Sequence, residues 1–158
     1  MSAAPFTLRA ATLDELGPRE VWELYRLRAR VFVVEQQCFY LDPDDADGHD
    51  QTRHVLARSA SGTLAGYLRV LPPGLDAHEP VIGRVVCAPE VRGQGLGHRL
   101  VQSALALVAD LWPGTAVRLH AQTYLEAFYQ SHGFDPVGES YLLDGIPHLE
   151  MLRPKPRA

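Results

Sequence analysis

Three glycines, at positions 93, 95 and 97, stand within five residues where an apolar segment gives way to a helical pattern. The segment before them, VIGRVVCA at residues 81–88, is typical of a buried strand. After them, one helical face collects Leu100, Val101, Ala104, Leu107, Val108 and Leu111. Three glycines so close together make folding costly in chain entropy. We therefore expect that the turn needs residues without side chains, because something must come close to its backbone. Such a turn presents unpaired N–H groups and the positive end of a helix dipole, which suits a pyrophosphate.

Two common phosphate-binding motifs do not fit this turn. A P-loop needs Gly-Lys-Ser/Thr, but His98 and Arg99 follow Gly97. A dinucleotide fingerprint that begins at Gly93 needs a glycine at the position of His98. A dinucleotide-binding oxidoreductase is therefore disfavoured. On the turn alone, a tight corner that binds no ligand stays an alternative.

The rest of the chain alternates between strand-like and helical segments. We predict strands at residues 6–11, 53–59, 63–72 and 116–121, a helix from Pro18 to near VVEQQCFYL, a helix over residues 123–132, and a closing hairpin around Asp144-Gly145. Thr123 and Glu126 form a predicted capping box, and Gly133 is the predicted left-handed cap. This order predicts a mixed α/β sheet covered by helices.

Length and composition narrow the class of protein. The 158 residues suit one domain, which we place at residues 6–153 with a short tail at 154–158. The net charge of −4 gives no basic face, so we expect no nucleic-acid partner. No apolar run approaches the ~20 residues of a membrane span, and the opening lacks a leader pattern, so a soluble cytoplasmic protein is expected. Cys38 and Cys87 are far apart, so we expect two small buried side chains and no metal site.

Four stretches resemble one known family. Arg92-Gly93-Gln94-Gly95-Leu96-Gly97 resembles the Arg/Gln-x-x-Gly-x-Gly/Ala signature of the GNAT acetyltransferase superfamily, again between a strand and a long helix. LEAFYQSHGF, residues 125–134, resembles the second signature of that family. LRARVFVVEQQCFY and DGIPHLEM resemble its ElaA-type branch. The resemblance therefore covers nearly the whole chain.

The resemblance implies a fold and an activity. The implied fold is a central mixed, mostly antiparallel sheet of about six or seven strands, flanked by helices and splayed at an acyl-CoA site. The implied activity is acetyl-CoA-dependent N-acetylation of a primary amine, on a small molecule or a peptide, by direct attack on the thioester. The alternative is an acyl-CoA binding or sensing module that transfers nothing. The acceptor is not encoded in a recognisable motif, and an exposed closing strand is compatible with a homodimer.

The same resemblance assigns the co-substrate site. It implies that the backbone amides of the turn hold the pyrophosphate, and that the end of the preceding strand pairs with the pantetheine arm. The turn residues are Arg92, Gly93, Gln94, Gly95, Leu96 and Gly97, and the strand residues are Val85, Val86 and Cys87.

Two residues are candidates for proton transfer. Tyr129 matches the family tyrosine that donates a proton to, or hydrogen-bonds, the leaving CoA sulfur, and a phenol with a pKa near ~10 stays protonated until a thiolate appears. Without the motif, Tyr129 would be interpreted as a core aromatic residue. The strand before the turn lacks the carboxylate that many family members carry, so the identity of the base stays open. The resemblance implies that His120 lies where the two central strands part, and histidine as a residue type titrates near neutrality, so His120 is a candidate base. A satisfied, half-buried strand histidine is the alternative for His120.

Three residues are candidates for the acceptor site. Glu35 lies just past the first helix, in a segment that by the resemblance borders the acceptor pocket; it either binds the amine, relays a proton through water, or is a solvated helix-end charge. Arg84 is predicted to share a face with Ile82 and Val86, which suggests a buried ion pair or a partner for an acceptor carboxylate. His148 shares a strand face with Glu150, and either lines the acceptor site or forms the polar side of that strand.

The acidic segment DPDDADGHDQT, residues 42–52, is the last candidate. It fails the spacing of an EF-hand calcium loop, because Ala46 occupies the fifth ligand position counted from Asp42. We therefore predict a solvated loop, with attraction of a cationic amine as the alternative.

Overall fold

The structure, a computed structural model, describes residues 5–157. Residues 1–4 of the opening segment lie outside this range. Of the predicted tail, residues 154–157 have no regular secondary structure and residue 158 lies outside the described residues.

Residues 5–157 form eight strands and three α-helices. The strands are β1 (Thr7–Ala11), β2 (Arg53–Arg58), β3 (Leu64–Leu71), β4 (Val81–Cys87), β5 (Val117–Gln122), β6 (Asp135–Pro136), β7 (Tyr141–Leu143) and β8 (Ile146–Arg153). The helices are α1 (Pro18–Arg28), α2 (Leu96–Leu111) and α3 (Glu126–Gln130). Within the described range, no helix has both the length and the apolar character that crossing a bilayer requires.

All eight strands belong to one sheet, in the order β1, β2, β3, β4, β5, β8, β6, with β7 also pairing with β8. Only β4 and β5 run parallel, and the other neighbours are antiparallel. The predicted mixed, mostly antiparallel sheet flanked by helices is therefore confirmed. The described chain has eight strands rather than six or seven because β6, of two residues, and β7, of three, are short additions at one end.

The two long helices cover opposite faces of the sheet. Helix α2 packs on one face of the sheet through its buried residues Leu100, Val101, Ala104 and Val108. Helix α1 and the helical turn after it pack on the other face through the buried residues Leu24, Leu27 and Val31. Helix α2 approaches β3 closely at Gly66, where an added Cβ would lie 2.9 Å from the Leu96 Cδ2 atom. This contact fixes the start of α2, and with it the glycine turn, against the sheet.

The first helix begins and continues as its sequence predicts. Pro18 occupies the first turn, and the backbone N–H of Gly17 donates to the Glu20 side chain over 3.0 Å. Beyond Arg28 the chain continues as a π-helical segment, Ala29–Glu35. The widened turns carry the helical chain to Glu35, beside the glycine turn.

The segment after β5 differs from the prediction. Thr123 begins a 3-10 turn (Thr123–Leu125) whose N-cap is Gln122, and α3 starts only at Glu126 without a side-chain cap. The predicted capping box of Thr123 and Glu126 is therefore wrong, because the strand runs on to Gln122 and leaves no residue free to cap. The Glu126 carboxylate instead accepts a hydrogen bond from Gln130 over 3.3 Å.

Two turn predictions are confirmed. Gly133 has a φ of +89° and ends the helical segment that contains α3, and the next residue, Phe134, is fully buried. Asp144 and Gly145 have φ of +51° and +75° and form the two-residue turn between β7 and β8.

Candidate active site

A cleft of about 1160 Å³ opens where β4 and β5 separate. Its walls include the glycine turn, the end of the π-helical segment, α3 and the β7–β8 hairpin. Predicted site residues from every part of the chain line it: Glu35, Arg84, Val85, Val86, Cys87, Arg92, Gly93, Gly95, Leu96, Gly97, His120, Tyr129 and His148. Among the predicted turn residues, Gln94 does not line the cleft, and its side chain is exposed.

The glycine turn has the open backbone that its sequence predicts. Gly93 and Gly95 have φ of +83° and +81°, and an added Cβ at either would meet nothing within 4 Å. Gly95 is the N-cap of α2 and supplies no side-chain cap, so the first N–H groups of the helix stay available to an anion. At Gly97 an added Cβ would lie 3.4 Å from the Phe128 ring, which brings α3 against the turn.

The strands β4 and β5 pair over two residues only. Val81 pairs with Arg118 and Ile82 with Leu119, and no ladder pairing between them continues beyond that point in the described chain. The edge of β4 that faces β5 is therefore unpaired over Val85, Val86 and Cys87. The N–H of Ala88 donates to the backbone carbonyl of Ala65 of β3 over 2.8 Å. Because successive N–H groups of a strand point in opposite directions, the N–H of Cys87 points away from β3, across the gap. This open edge can hydrogen-bond an extended ligand as an added strand.

A bulge in β4 changes the direction of Arg84. Arg84 and Val85 stand opposite the single residue Leu68 of β3, and Arg84 has φ of +54°. The prediction that Arg84 shares a face with Ile82 and Val86 is wrong, because the extra residue reverses the alternation. Ile82 packs in the core under α2, and Val86 packs under α1.

Arg84 forms an ion pair with a carboxylate of this chain. Its Nε donates to Asp42 Oδ1 over 2.9 Å, and its guanidinium lies 5.6 Å from the centre of the Tyr40 ring. The ion-pair interpretation of Arg84 is therefore confirmed, although its side chain is only partly buried.

The acidic segment is a structural clamp rather than a solvated loop. Asp42 and Asp47 are buried and both bind Arg28, which is 0% exposed, at 2.7 and 2.8 Å. Arg69, on β3, binds Asp44 at 2.6 Å and Asp47 at 2.9 Å. The predicted solvated loop is wrong, because three arginines neutralise three of its carboxylates. Among residues 5–157 no group of three His, Cys, Asp or Glu side chains is arranged to hold a metal ion.

A buried histidine completes the clamp. His54 Nε2 donates to the backbone carbonyl of Asp47 over 3.0 Å, so its Nδ1 accepts from the Tyr67 hydroxyl over 2.6 Å. Burial lowers the pKa of His54 and keeps the ring neutral. His54 therefore serves the clamp and lies apart from the cleft.

Tyr129 lies on the α2 side of the gap. It is 6% exposed and packs edge-on against Phe128 and Phe134, with ring centres 4.9 and 6.2 Å away. Burial raises the pKa of its phenol well above the usual range. The hydroxyl is therefore protonated at neutral pH.

His120 lies on the opposite side of the gap. Its neighbours Leu119 and Ala121 pack in the same core as Tyr129, so alternation along β5 directs His120 to the other face. The side chain is 39% exposed, and its Nδ1 lies 2.9 Å from the Tyr141 hydroxyl. His120 is therefore a partly exposed residue on the wall of the cleft, with one ring nitrogen within hydrogen-bond distance of Tyr141.

The other two acceptor candidates, Glu35 and His148, also line the cleft, and each is held by a different partner. Glu35 forms a two-pronged ion pair with Arg92, with N–O distances of 2.8 and 3.2 Å, so it joins the first helical segment to the glycine turn. His148 is 9% exposed, donates from Nδ1 to the carbonyl of Ile146 over 2.7 Å and stacks on Tyr141. Glu150, on the same strand, binds Arg118 at 2.9 Å and does not line the cleft.

Tyr141 and Asp76, the two polar neighbours of His120, are among the cleft residues that were not predicted from the sequence. Tyr141 faces His148 because the two-residue turn at Asp144-Gly145 sets the register of the hairpin, and that register was readable from the sequence. Asp76 belongs to the loop between β3 and β4, and no pattern in the neighbouring residues predicts that it lies in the cleft.

Comparison with known proteins gives one family. Residues 30–153 match the model of the acetyltransferase (GNAT) domain. The chain is 42% identical to Protein ElaA of Escherichia coli over 140 residues, which cover 89% of this chain and 91% of that protein.

Solved structures agree with this match. An acyl-CoA N-acyltransferase from Pseudomonas aeruginosa superimposes with a TM-score of 0.89 at 42% identity, over 94% of this chain and 99% of that one. The crystal structure of Escherichia coli ElaA gives a TM-score of 0.89 at 38% identity, with the same coverage of both chains.

Proposed function

The chain belongs to the GNAT acetyltransferase family, in its ElaA-type branch, and from that premise we propose that it is an acetyl-CoA-dependent N-acetyltransferase. Its acceptor is a primary amine of a small molecule or a peptide, and the transferase domain spans residues 6–153 in a cytoplasmic protein. Family and fold support an acyltransferase that uses acyl-CoA. The observation that carries the proposal is the opening of β4 from β5 directly below the glycine turn, within one cleft.

The co-substrate takes the two open backbone surfaces. The pyrophosphate binds the N–H groups of residues 92–97 at the start of α2, where the helix dipole favours negative charge. The pantetheine arm lies along Val85, Val86 and Cys87 as an added strand in the gap. The N–H of Cys87, which points across the gap, is the donor best directed to the amide or thioester oxygens of that arm.

The transfer needs a proton donor and a proton acceptor on different sides of the thioester. The amine nitrogen attacks the thioester carbon from the face of His120, and His120 is the base on which the proton equivalent lost by the amine finally rests. When the carbon–sulfur bond breaks, the Tyr129 hydroxyl gives its proton to the departing thiolate. The opposite positions of Tyr129 and His120 about the gap support this division of roles.

The acceptor enters from the His120 side. His148 and Arg84 line that end and are proposed to contact the acceptor. Glu35 also lines the cleft, where it pairs with Arg92 of the glycine turn, and it is proposed to contact the acceptor from that side.

A CoA-release assay tests the proposal. The purified protein is mixed with acetyl-CoA and a panel of primary amines, including polyamines, amino acids and short peptides, and free thiol is followed. Amine-stimulated release supports the transferase. The missing carboxylate on β4 favours the alternative of an acyl-CoA binding or sensing module, and acetyl-CoA binding without any amine-stimulated release would support that alternative.

A further inference from the structure

Asp76, His120 and Tyr141 meet at the acceptor end of the cleft, although they come from three separate segments. His120 belongs to β5, Tyr141 to β7, and Asp76 to the loop between β3 and β4. The Nδ1 atom of His120 lies 2.9 Å from the Tyr141 hydroxyl oxygen, and its Nε2 atom lies 3.8 Å from Asp76 Oδ2. All three side chains line the cleft. Each ring nitrogen of His120 therefore has one polar neighbour.

These neighbours favour one form of the imidazole. Asp76 Oδ2 is too far from Nε2 for a direct hydrogen bond, but the negative charge of an ionised carboxylate at this distance favours a proton on Nε2 electrostatically. In the neutral ring Nδ1 is then the acceptor, and the Tyr141 hydroxyl donates to it. The oxygen of Tyr141 keeps its lone pairs for a hydrogen-bond donor in the cleft, such as an amine.

The ring of Tyr141 is held in position. It stacks on His148 with ring centres 5.9 Å apart and planes 26° apart, and the two residues occupy paired positions of the β7–β8 hairpin. Burial raises the pKa of the Tyr141 phenol, and the charges of Glu150 and Asp76 add to this effect. The phenol is therefore a neutral hydroxyl at rest, which can pass a proton on.

The other charged groups around His120 already have partners. Glu150, opposite His120 on β8, binds Arg118 at 2.9 Å. Across the gap, Arg84 binds Asp42 at 2.9 Å. Within the described chain, Asp76 is thus the carboxylate within ion-pair distance of His120.

We propose that Asp76, His120 and Tyr141 form a proton relay that deprotonates the acceptor amine. As the amine nitrogen bonds to the thioester carbon, one of its N–H bonds breaks and that proton goes to the oxygen of Tyr141. The O–H bond of Tyr141 breaks in the same step, and its proton goes to Nδ1 of His120. The imidazolium so formed lies beside the Asp76 carboxylate, which stabilises its charge, while the carbon–sulfur electrons leave with CoA. Tyr141 is then a catalytic residue that touches the acceptor, and Asp76 is a positioning residue; this relay rests on the proposed transferase function.

The test uses three variants of the full-length protein and the best amine of the panel. We expect Tyr141→Phe, which keeps the ring, to lower kcat about 100-fold while the Kd for acetyl-CoA is unchanged. We expect Asp76→Asn, which removes the carboxylate charge beside Nε2 of His120, to lower kcat roughly 10-fold while the Kd for acetyl-CoA is unchanged. Asp110→Asn, at an exposed position of α2, is the matched control and should keep the wild-type kcat.

The nitrogen chemical shifts of the His120 ring, measured by NMR, report its tautomer and need no catalysis. The share of the tautomer that is protonated on Nε2 should fall in Asp76→Asn and stay unchanged in Asp110→Asn. An active wild type whose kcat survives both Tyr141→Phe and Asp76→Asn, with an unchanged His120 tautomer in Asp76→Asn, would overturn the relay and leave the transferase standing. A wild type that releases no CoA with any amine would overturn the transferase function, and the relay with it.

Discussion

Ile82 of β4 and Leu119 of β5 are the last residues to pair between the two central parallel strands. Beyond this pair the facing backbone edges of both strands line a cleft instead of a ladder. Buried backbone polar groups need partners, so an edge that stops pairing inside a sheet calls for a ligand or water there. The glycine turn above this edge supplies an anion site, and together they suit a molecule with an extended amide arm and a pyrophosphate.

Gly95→Glu should weaken acetyl-CoA binding at least ~100-fold, because a carboxylate about 4 Å from a phosphate is repelled by roughly 4 kcal/mol near a surface. Gly62→Glu is the matched control. Gly62 also has a positive φ, +87°, with nothing within 4 Å of an added Cβ, but it does not line the cleft. Calorimetry measures the Kd for acetyl-CoA of both variants. Equal affinities would show that the pyrophosphate does not bind at this turn.

Tyr129→Phe should lower turnover about 100-fold, since the departing thiolate loses its proton donor. The Kd for acetyl-CoA should stay within twofold of the wild type, because the ring keeps its packing against Phe128 and Phe134. Steady-state kinetics and calorimetry on the same preparation separate the two effects. Unchanged turnover would exclude Tyr129 as the acid.

Asp47→Asn should lower the free energy of unfolding by about 3 kcal/mol at pH 7, because Arg28 and Arg69 lose a buried counter-charge. Asp45→Asn, two residues earlier and exposed, is the control and should change it by less than ~0.5 kcal/mol. Urea unfolding followed by circular dichroism measures both.

The pH dependence of stability should also change in Asp47→Asn. Burial opposes ionisation of Asp47, but the hydrogen bonds and charge of Arg28 outweigh it and hold the pKa of this carboxyl below its usual range. A carboxyl with a lowered folded-state pKa stabilises the protein above its unfolded-state pKa of ~3.9 and loses that stabilisation as the pH falls further. Wild type should therefore lose more stability than Asp47→Asn between pH 5 and pH 2, and parallel losses would contradict the clamp.

Gly66→Ala should destabilise the fold by about 1–3 kcal/mol, because its Cβ would crowd Leu96 and Leu100 at 2.9 and 3.0 Å, and both side chains are fully buried. Gly48→Ala, where an added Cβ meets nothing within 4 Å, is the control and should stay within ~0.5 kcal/mol of wild type. Thermal unfolding of the two variants compares them. A neutral Gly66→Ala would mean that α2 is not held at this distance from β3.

The parts of the fold that were predictable are those with local signals. The glycine turn, the apolar face of α2 and the Asp144-Gly145 hairpin each depend on residues a few positions apart, and the structure confirms them. The capping box at Thr123 failed because the extent of β5, set by pairing with β8, decided where the next turn begins.

The parts that were not predictable depend on distant partners. Asp42 and Asp47 look like parts of a solvated loop until the fold brings Arg28 and Arg69, the arginines that bind them from 14 to 22 residues away, to these carboxylates. The bulge at Arg84 has no signature in its own residues, since it reflects how β4 meets β3. The family motif locates Tyr129, but only the alternation along β5 shows that His120 faces the gap from the other side.

Calorimetric titration of the purified protein with acetyl-CoA, with NADH as the control ligand, tests the central claim most directly. The account predicts saturable one-site binding of acetyl-CoA that Gly95→Glu abolishes, and no binding of NADH. Absence of acetyl-CoA binding by the folded wild type would contradict it, because the glycine turn would then be only a corner between a strand and a helix.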